Sequence, residues 1–130
     1  MQPAVSVSLG PTDFPLVITA RDHVIRSDEQ PEAGGTDTGP EPFELLLASL
    51  GACTAITLRM YARRKGWPLD GVQVQARFDE QQGKRLIHMS VGFTGDLSAE
   101  QHGRLLQIAN ACPVHKALTT GVMVETVIAD

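Results

Sequence analysis

The sequence has only two cysteines, Cys53 and Cys112, which are too few for a disulfide-stapled secreted scaffold. It also lacks an excess of positive charge, since 11 Lys and Arg stand against 15 Asp and Glu, a formal net charge of −4. We therefore expect neither nucleic acid nor a membrane as a partner. The longest uncharged run, residues 45–58, is shorter than the roughly 20 residues that cross a bilayer. The first residues lack the basic and apolar regions of a signal peptide, so we expect a cytoplasmic protein.

The composition is that of a folded protein. Of the 130 residues, 42% are hydrophobic and 20% are charged, which excludes a disordered chain. This length suits one domain, and we predict a single domain over residues 1–130. The sequence contains no phosphate-binding loop, nucleotide-binding fingerprint or Ser-His-Asp signature.

Short strands are predicted on both sides of one long helix. Ser98 and Gln101 form a capping box that predicts a helix to about Asn110, and a further short helix follows Cys112 and ends near Gly121. Because strands and helices do not alternate regularly, we predict an α+β fold with mostly antiparallel pairing. The predicted strands are residues 5–9, 16–20, 23–26, 72–78, 86–93 and 122–128.

The predicted central helix is apolar on all its faces. It begins at Pro42, a residue suited to a first helical turn, carries basic residues in its last turns, and stops at Gly66. A helix that is apolar all round is buried on all sides. One chain of this length has few elements left to surround it, so we predict that a partner subunit covers part of the helix.

The two cysteines are the candidate reactive residues. Cys53 lies within the apolar helix, where burial disfavours a reactive thiolate and the common role is a small core side chain. Cys112 precedes Pro113 at a helix N-terminus, which favours a thiolate, although a simple helix cap fits equally well. If the two meet in space, a catalytic or redox-sensing pair is expected in a reducing compartment. Metal binding by Cys112, His115 and Cys53 is a third alternative.

Two segments around these cysteines resemble motifs of the OsmC/Ohr family, the osmotically inducible and organic-hydroperoxide-resistance proteins. Residues 39–54, GPEPFELLLASLGACT, resemble the first cysteine motif, and residues 111–118, ACPVHKAL, resemble the second. The resemblance implies an OsmC-like domain over residues 1–130. It also implies an intertwined homodimer in which antiparallel sheets wrap around long central helices.

The resemblance further implies a thiol peroxidase that reduces organic hydroperoxides without a metal or an organic cofactor. In this family pattern, Cys53 attacks the peroxide as a thiolate and becomes a sulfenic acid, and Cys112 condenses with it to a disulfide. A dithiol reductant then restores both thiols, and lipoylated proteins serve as that reductant in the hydroperoxide-resistance branch. The helix position of Cys112 and the resemblance thus assign the thiolate to different cysteines. The alternative function is a non-peroxidatic OsmC-like protein that senses redox state or binds a small ligand.

The sequence departs from the hydroperoxide-resistance branch at two positions. That branch has an arginine in the first hairpin turn, where residues 10–13 here read Gly-Pro-Thr-Asp, and a glutamate after the motif's proline, where Phe43 stands. Glu44, one residue later, and Arg21 or Arg26 are the candidate replacements. The predicted catalytic residues are Cys53, Cys112, Glu44 and Arg21.

Overall fold

A computed structural model describes residues 4–129 as an α+β chain, which confirms the predicted fold class. The chain packs as two compact units that meet in sequence between Leu46 and Leu47, and the prediction of a single domain over residues 1–130 stays a prediction. In chain order the strands and α-helices are β1 (Ser6–Leu9), β2 (Leu16–Ala20), β3 (His23–Ser27), α1 (Pro42–Lys65), β4 (Gly71–Gln81), β5 (Lys84–Thr94), α2 (Ala99–Ala109) and α3 (Pro113–Thr120), with a 3₁₀ turn at Pro31–Ala33.

The first unit holds an antiparallel sheet in the order β1-β2-β3, with Leu9 opposite Leu16 and Ala20 opposite His23. The loop after β3 is organised around Asp28, which is buried, with only 2% of its surface exposed. Its Oδ2 accepts hydrogen bonds from the hydroxyls of Thr36 and Thr38, both at 2.8 Å, and from their backbone N–H groups. Burial alone raises the pKa of Asp28, but these hydrogen bonds outweigh burial and hold the pKa well below its usual range.

We expect Asp28→Asn to lower the melting temperature by several degrees at pH 7, because an amide cannot replace a carboxylate that accepts this many hydrogen bonds. The folded-state pKa is depressed, so the stabilisation is fully present above the unfolded carboxyl pKa of about 4 and is lost as the pH falls below it. Thermal melts of both proteins at pH 7 and pH 3 measure this. An equal gap at the two pH values would contradict the assignment.

The long helix α1 begins and ends as the sequence predicts. Pro42 is its first residue, and Arg63, Arg64 and Lys65 lie in its last turn. Gly66 follows in the left-handed region, with φ +70°, and lets the N–H of Trp67 donate to the carbonyl of Ala62, 2.9 Å away. This hydrogen bond gives a partner to one of the carbonyl groups that would otherwise be unpaired at the end of the helix.

The second unit places a long hairpin and two short helices around the C-terminal part of α1. Strands β4 and β5 pair antiparallel from Gly71 opposite Thr94 to Gln81 opposite Lys84, so both are longer than the predicted 72–78 and 86–93. The predicted capping box of α2 is present, since Ser98 Oγ accepts from the Gln101 N–H and Gln101 Oε1 accepts from the Ser98 N–H. The buried core consists of Leu58, Tyr61, Ala62, Leu69, Leu105 and Ala109.

The predicted last strand at residues 122–128 is wrong for the single chain. Residues 121–129 form no strand in the described structure, and their side chains are exposed, up to 95% at Ile128. Their many β-branched residues are typical of a strand, but a strand forms only where another strand supplies hydrogen-bonding partners. No element of the described chain supplies them.

Helix α1 is buried along one face only, so the expectation of burial on all sides does not hold within one chain. Its opposite face leaves Ile56 57% and Met60 67% exposed. An apolar surface of this kind is typical of a contact with another molecule. The fully or nearly fully buried residues of α1 are Leu50, Thr54, Leu58, Tyr61 and Ala62.

Helix α1 is also long and apolar enough to cross a bilayer, and it is the single helix of that kind among the described residues. One such helix is weak support for a membrane span, because the core helix of a soluble protein passes the same test. The expectation that no membrane is a partner stays a prediction.

Candidate active site

Cys112 lies at the N-terminus of α3, as the sequence predicts. Its backbone is extended, with φ −67° and ψ 139°, and Pro113 starts the helix directly after it. The Cys112 Sγ accepts a hydrogen bond from the His115 N–H at 3.3 Å and thus caps the helix. The residue is fully buried. A helix N-terminus with its free N–H groups favours a negative charge on this sulfur.

Cys53 and Cys112 are neighbours although they are far apart along the chain. Burial in itself raises the pKa of the Cys112 thiol, but hydrogen bonds outweigh burial and lower it. The donors are the Cys53 side chain, the Thr54 side chain and the backbone N–H groups of His115 and Val114. Both cysteines are free thiols, and Cys53 is the more accessible, since it is half-buried. The site therefore holds a thiol that donates to a potential thiolate.

Thr54 and Met89 lie next to the two cysteines. We call the group formed by Cys53, Thr54, Met89, Cys112 and His115 the sulfur cluster. Thr54 is fully buried, and its Oγ1 donates to the Met89 Sδ on β5 at 3.7 Å. Sequence reasoning missed both roles. A threonine beside Cys53 in an otherwise apolar helix could have signalled Thr54, because a buried hydroxyl needs a partner. Met89 carries no signal of its own, since only the register of β5 brings it to α1.

A cavity of about 430 Å³ lies beside the cluster. Met89 and His115 line it, and both also belong to the sulfur cluster, Met89 through Thr54 and His115 through its backbone bond to Cys112. Leu50 and Leu118 add apolar surface, and Arg85 adds a positive charge. This volume and this mixture suit a small organic molecule with one polar group.

Glu44 and Arg21, the other two predicted catalytic residues, lie in the first compact unit, whereas both cysteines lie in the second. Glu44 is exposed in the first turn of α1, where its Oε1 accepts a hydrogen bond from the Glu41 N–H at 2.9 Å. This contact is a local cap of the helix start. Arg21 is exposed in the turn between β2 and β3, in the left-handed region with φ +55°. Their participation in chemistry stays a prediction.

Within residues 4–129, no three or more His, Cys, Asp or Glu side chains are grouped so that they could hold a metal ion. Cys53, Cys112 and His115 therefore do not form such a group. The arrangement at the N-terminus of α3 is one of thiols and hydrogen-bond donors. What it can do chemically is to stabilise a thiolate and to join two sulfur atoms.

The structure is thus that of an α+β chain with two neighbouring thiols, one of them at a helix N-terminus. The family model described as OsmC-like protein matches residues 35–127. This chain belongs to the OsmC-like family, which confirms the resemblance of its two cysteine motifs. No curated protein matches it.

Solved structures share the fold. A putative osmotic stress induced and detoxification response protein from Psychrobacter arcticus has 19% identity and a TM-score of 0.78 over 90% of this chain and 88% of that one. An OsmC-like protein from Mycoplasma pneumoniae has 17% identity and the same TM-score, over 92% and 88%. The organic hydroperoxide resistance protein OhrB of Bacillus subtilis has 24% identity and a TM-score of 0.60, over 87% of each chain. At these identities the likeness is one of fold.

Proposed function

We propose that this protein is a cysteine peroxidase that reduces organic hydroperoxides. The observation that carries the proposal is the pairing of the Cys53 thiol with Cys112, whose own pKa is lowered. Similar folds in proteins named for organic hydroperoxide resistance support the choice of substrate class. The cavity beside the sulfur cluster has room for a small organic peroxide.

In the first step Cys53 attacks, because it is the more accessible of the two sulfurs. Its proton passes to the Cys112 thiolate along their hydrogen bond. The Cys53 Sγ then forms a bond to the terminal peroxide oxygen, and the O–O bond breaks. The leaving alkoxide takes up the proton that Cys112 received and departs as the alcohol, so that Cys112 is again a thiolate. Cys53 is left as the sulfenic acid.

In the second step the Cys112 thiolate attacks the Cys53 sulfur, and the S–O bond breaks. Hydroxide leaves and takes up a proton to become water, so that two thiols and one hydroperoxide give a disulfide, an alcohol and water. An external dithiol, such as a lipoylated protein, then reduces the disulfide. We also propose that the charged side chains of Glu44 and Arg21 help to activate the Cys53 thiol. We place this cycle in the cytoplasm, where free thiols persist.

Stopped-flow mixing with cumene hydroperoxide tests the proposal. The wild-type protein should consume peroxide repeatedly when dithiothreitol is supplied. Cys112→Ser should form the sulfenic acid, which dimedone labels, but its turnover should fall at least about tenfold because no disulfide forms. If wild-type thiols are oxidised no faster than free cysteine, the proposed activity is excluded.

We further propose a homodimer in which a second copy covers what one chain leaves open. The exposed face of α1 around Ile56 and Met60 is one such surface. The exposed segment at residues 121–129 is the other, and its many β-branched residues suit a strand added to a sheet edge of the second copy. If each copy adds this segment to a sheet of the other, the two subunits are intertwined, as the family resemblance implies.

The cavity beside Met89 and His115 also favours a second candidate function, the capture of a small ligand without peroxide chemistry. Phe43, which stands where the hydroperoxide-resistance branch has a glutamate, supports this alternative. It predicts ligand-dependent rises in melting temperature in a protein that does not consume peroxide.

A further inference from the structure

The hydroxyl of Thr54 has two sulfur atoms as acceptors. It follows Cys53 on α1 and is fully buried, so water cannot satisfy it. Its Oγ1 donates to the Met89 Sδ at 3.7 Å, and its side chain is also a hydrogen-bond donor to Cys112. A hydroxyl carries one proton and can donate to one acceptor at a time. Its orientation therefore depends on which sulfur is the stronger acceptor.

The two acceptors differ in charge. The Met89 sulfur is a neutral thioether, which is a weak acceptor in every state of the protein. The Cys112 sulfur is a strong acceptor as a thiolate, and it loses the negative charge when it is protonated or joined in a disulfide. The hydroxyl is thus drawn to Cys112 when that sulfur is charged, and it returns to Met89 when the charge is gone.

We propose that Thr54 is a positioning residue that stabilises the Cys112 thiolate, and that Met89 holds its hydroxyl when Cys112 is uncharged. This arrangement keeps the buried hydroxyl paired in both states, and it avoids the cost of an unsatisfied polar group. The other ionisable groups around the cluster are Cys53 on α1, His115 on α3 and Arg85 on β5, the last two lining the cavity that Met89 shares.

The consequence for turnover rests on the proposed function. When a dithiol reduces the disulfide, its thiolate sulfur forms a bond to the Cys53 Sγ, the Cys53–Cys112 bond breaks, and the electron pair stays on Cys112. The second thiol of the reductant then releases Cys53. A more stable thiolate is a better leaving group, so a donor aimed at Cys112 accelerates reduction.

The test measures the Cys112 pKa by thiolate absorbance at 240 nm in a Cys53→Ser background, where Cys112 is the one remaining cysteine. Ionisation of the single tyrosine is followed separately at 295 nm. Adding Thr54→Val, which keeps the shape and removes the donor, should raise the Cys112 pKa by about one unit, a tenfold loss of thiolate near neutral pH. Thr54→Ser should restore the lower pKa.

Met89→Leu separates the proposed role from simple packing. If Thr54 acts on Cys112, removing the competing thioether leaves the Cys112 pKa unchanged or lowers it. If the Thr54–Met89 contact only maintains the packing, Met89→Leu raises the pKa as Thr54→Val does. An unchanged pKa in Thr54→Val, or in Thr54→Ala should the valine variant not fold, would also overturn the proposal. The titration uses no peroxide, so an inactive protein would contradict the proposed function without deciding the role of Thr54.

Discussion

Cys53→Ser abolishes the reaction with organic hydroperoxides: we expect the rate constant for cumene hydroperoxide consumption to fall at least about a thousandfold, to the level of the buffer. A serine hydroxyl stays protonated at neutral pH, and its oxygen does not take oxygen from a peroxide as a thiolate sulfur does. The remaining thiol, Cys112, is fully buried and cannot replace it. Stopped-flow measurement at pH 7 decides this.

Cys112→Ser is the matched control, because it removes the other thiol and leaves Cys53 in place. We expect this variant to react once, with dimedone-reactive Cys53 as the product, and more slowly than the wild type because the sulfur that accepts the Cys53 proton is gone. If instead Cys53→Ser reacts with the peroxide and Cys112→Ser does not, the attacking cysteine is Cys112. That is the assignment that its position at the start of α3 favours when considered alone.

Met60→Glu should dissociate the proposed dimer into monomers, with a dissociation constant raised at least about a hundredfold. Met60 is 67% exposed on the open face of α1, where we propose that a second copy packs. An unpaired carboxylate buried in such a contact is strongly unfavourable. Light scattering over a range of micromolar concentrations measures the dissociation, and a thermal melt reports whether the separated chain stays folded.

Gln82→Glu supplies the control for Met60→Glu, since it adds the same charge on the exposed turn between β4 and β5. It should leave the mass and the melting temperature of the assembly unchanged. A wild-type protein that is a stable monomer at these concentrations would contradict the proposed homodimer. So would a Met60→Glu variant that remains fully dimeric.

Local patterns predicted most of the fold correctly. The bounds of α1 follow from Pro42 and Gly66, and the start of α2 follows from its capping box. The sequence predicts too short a hairpin of β4 and β5 because the ends of both strands are polar, and polar residues pair in a hairpin as apolar ones do once the turn sets the register. The turn is formed by Gln82 and Gly83, both with positive φ.

The predictions were incomplete where distant parts of the chain decide the outcome. Residues 122–128 have the β-branched composition of a strand, but a strand also needs an edge to pair with, and no edge in the described chain pairs with them. The sulfur cluster was predicted in part. Pro113 predicts that Cys112 lies at the start of a helix, as it does. The contact of Thr54 with Met89 depends on the packing of β5 against α1, and no local sequence pattern encodes that packing.

The positions of the cysteines also explain why two interpretations of the thiolate disagreed. Considered alone, the start of α3 makes Cys112 the sulfur that holds charge, and its lowered pKa supports that interpretation. Attack on a peroxide needs access as well as charge, and Cys53 has the greater access. The proposed mechanism reconciles the two, because in it the Cys112 sulfur accepts the proton that Cys53 loses when it attacks.

The most direct test of the paired sulfurs is the intact mass of the reduced protein after one equivalent of cumene hydroperoxide, followed by alkylation and peptide mapping. We predict a loss of about 2 Da and a single cross-linked peptide pair that joins Cys53 to Cys112. A mass that rises by about 16 or 32 Da, with no such pair, would show that the two sulfurs do not combine.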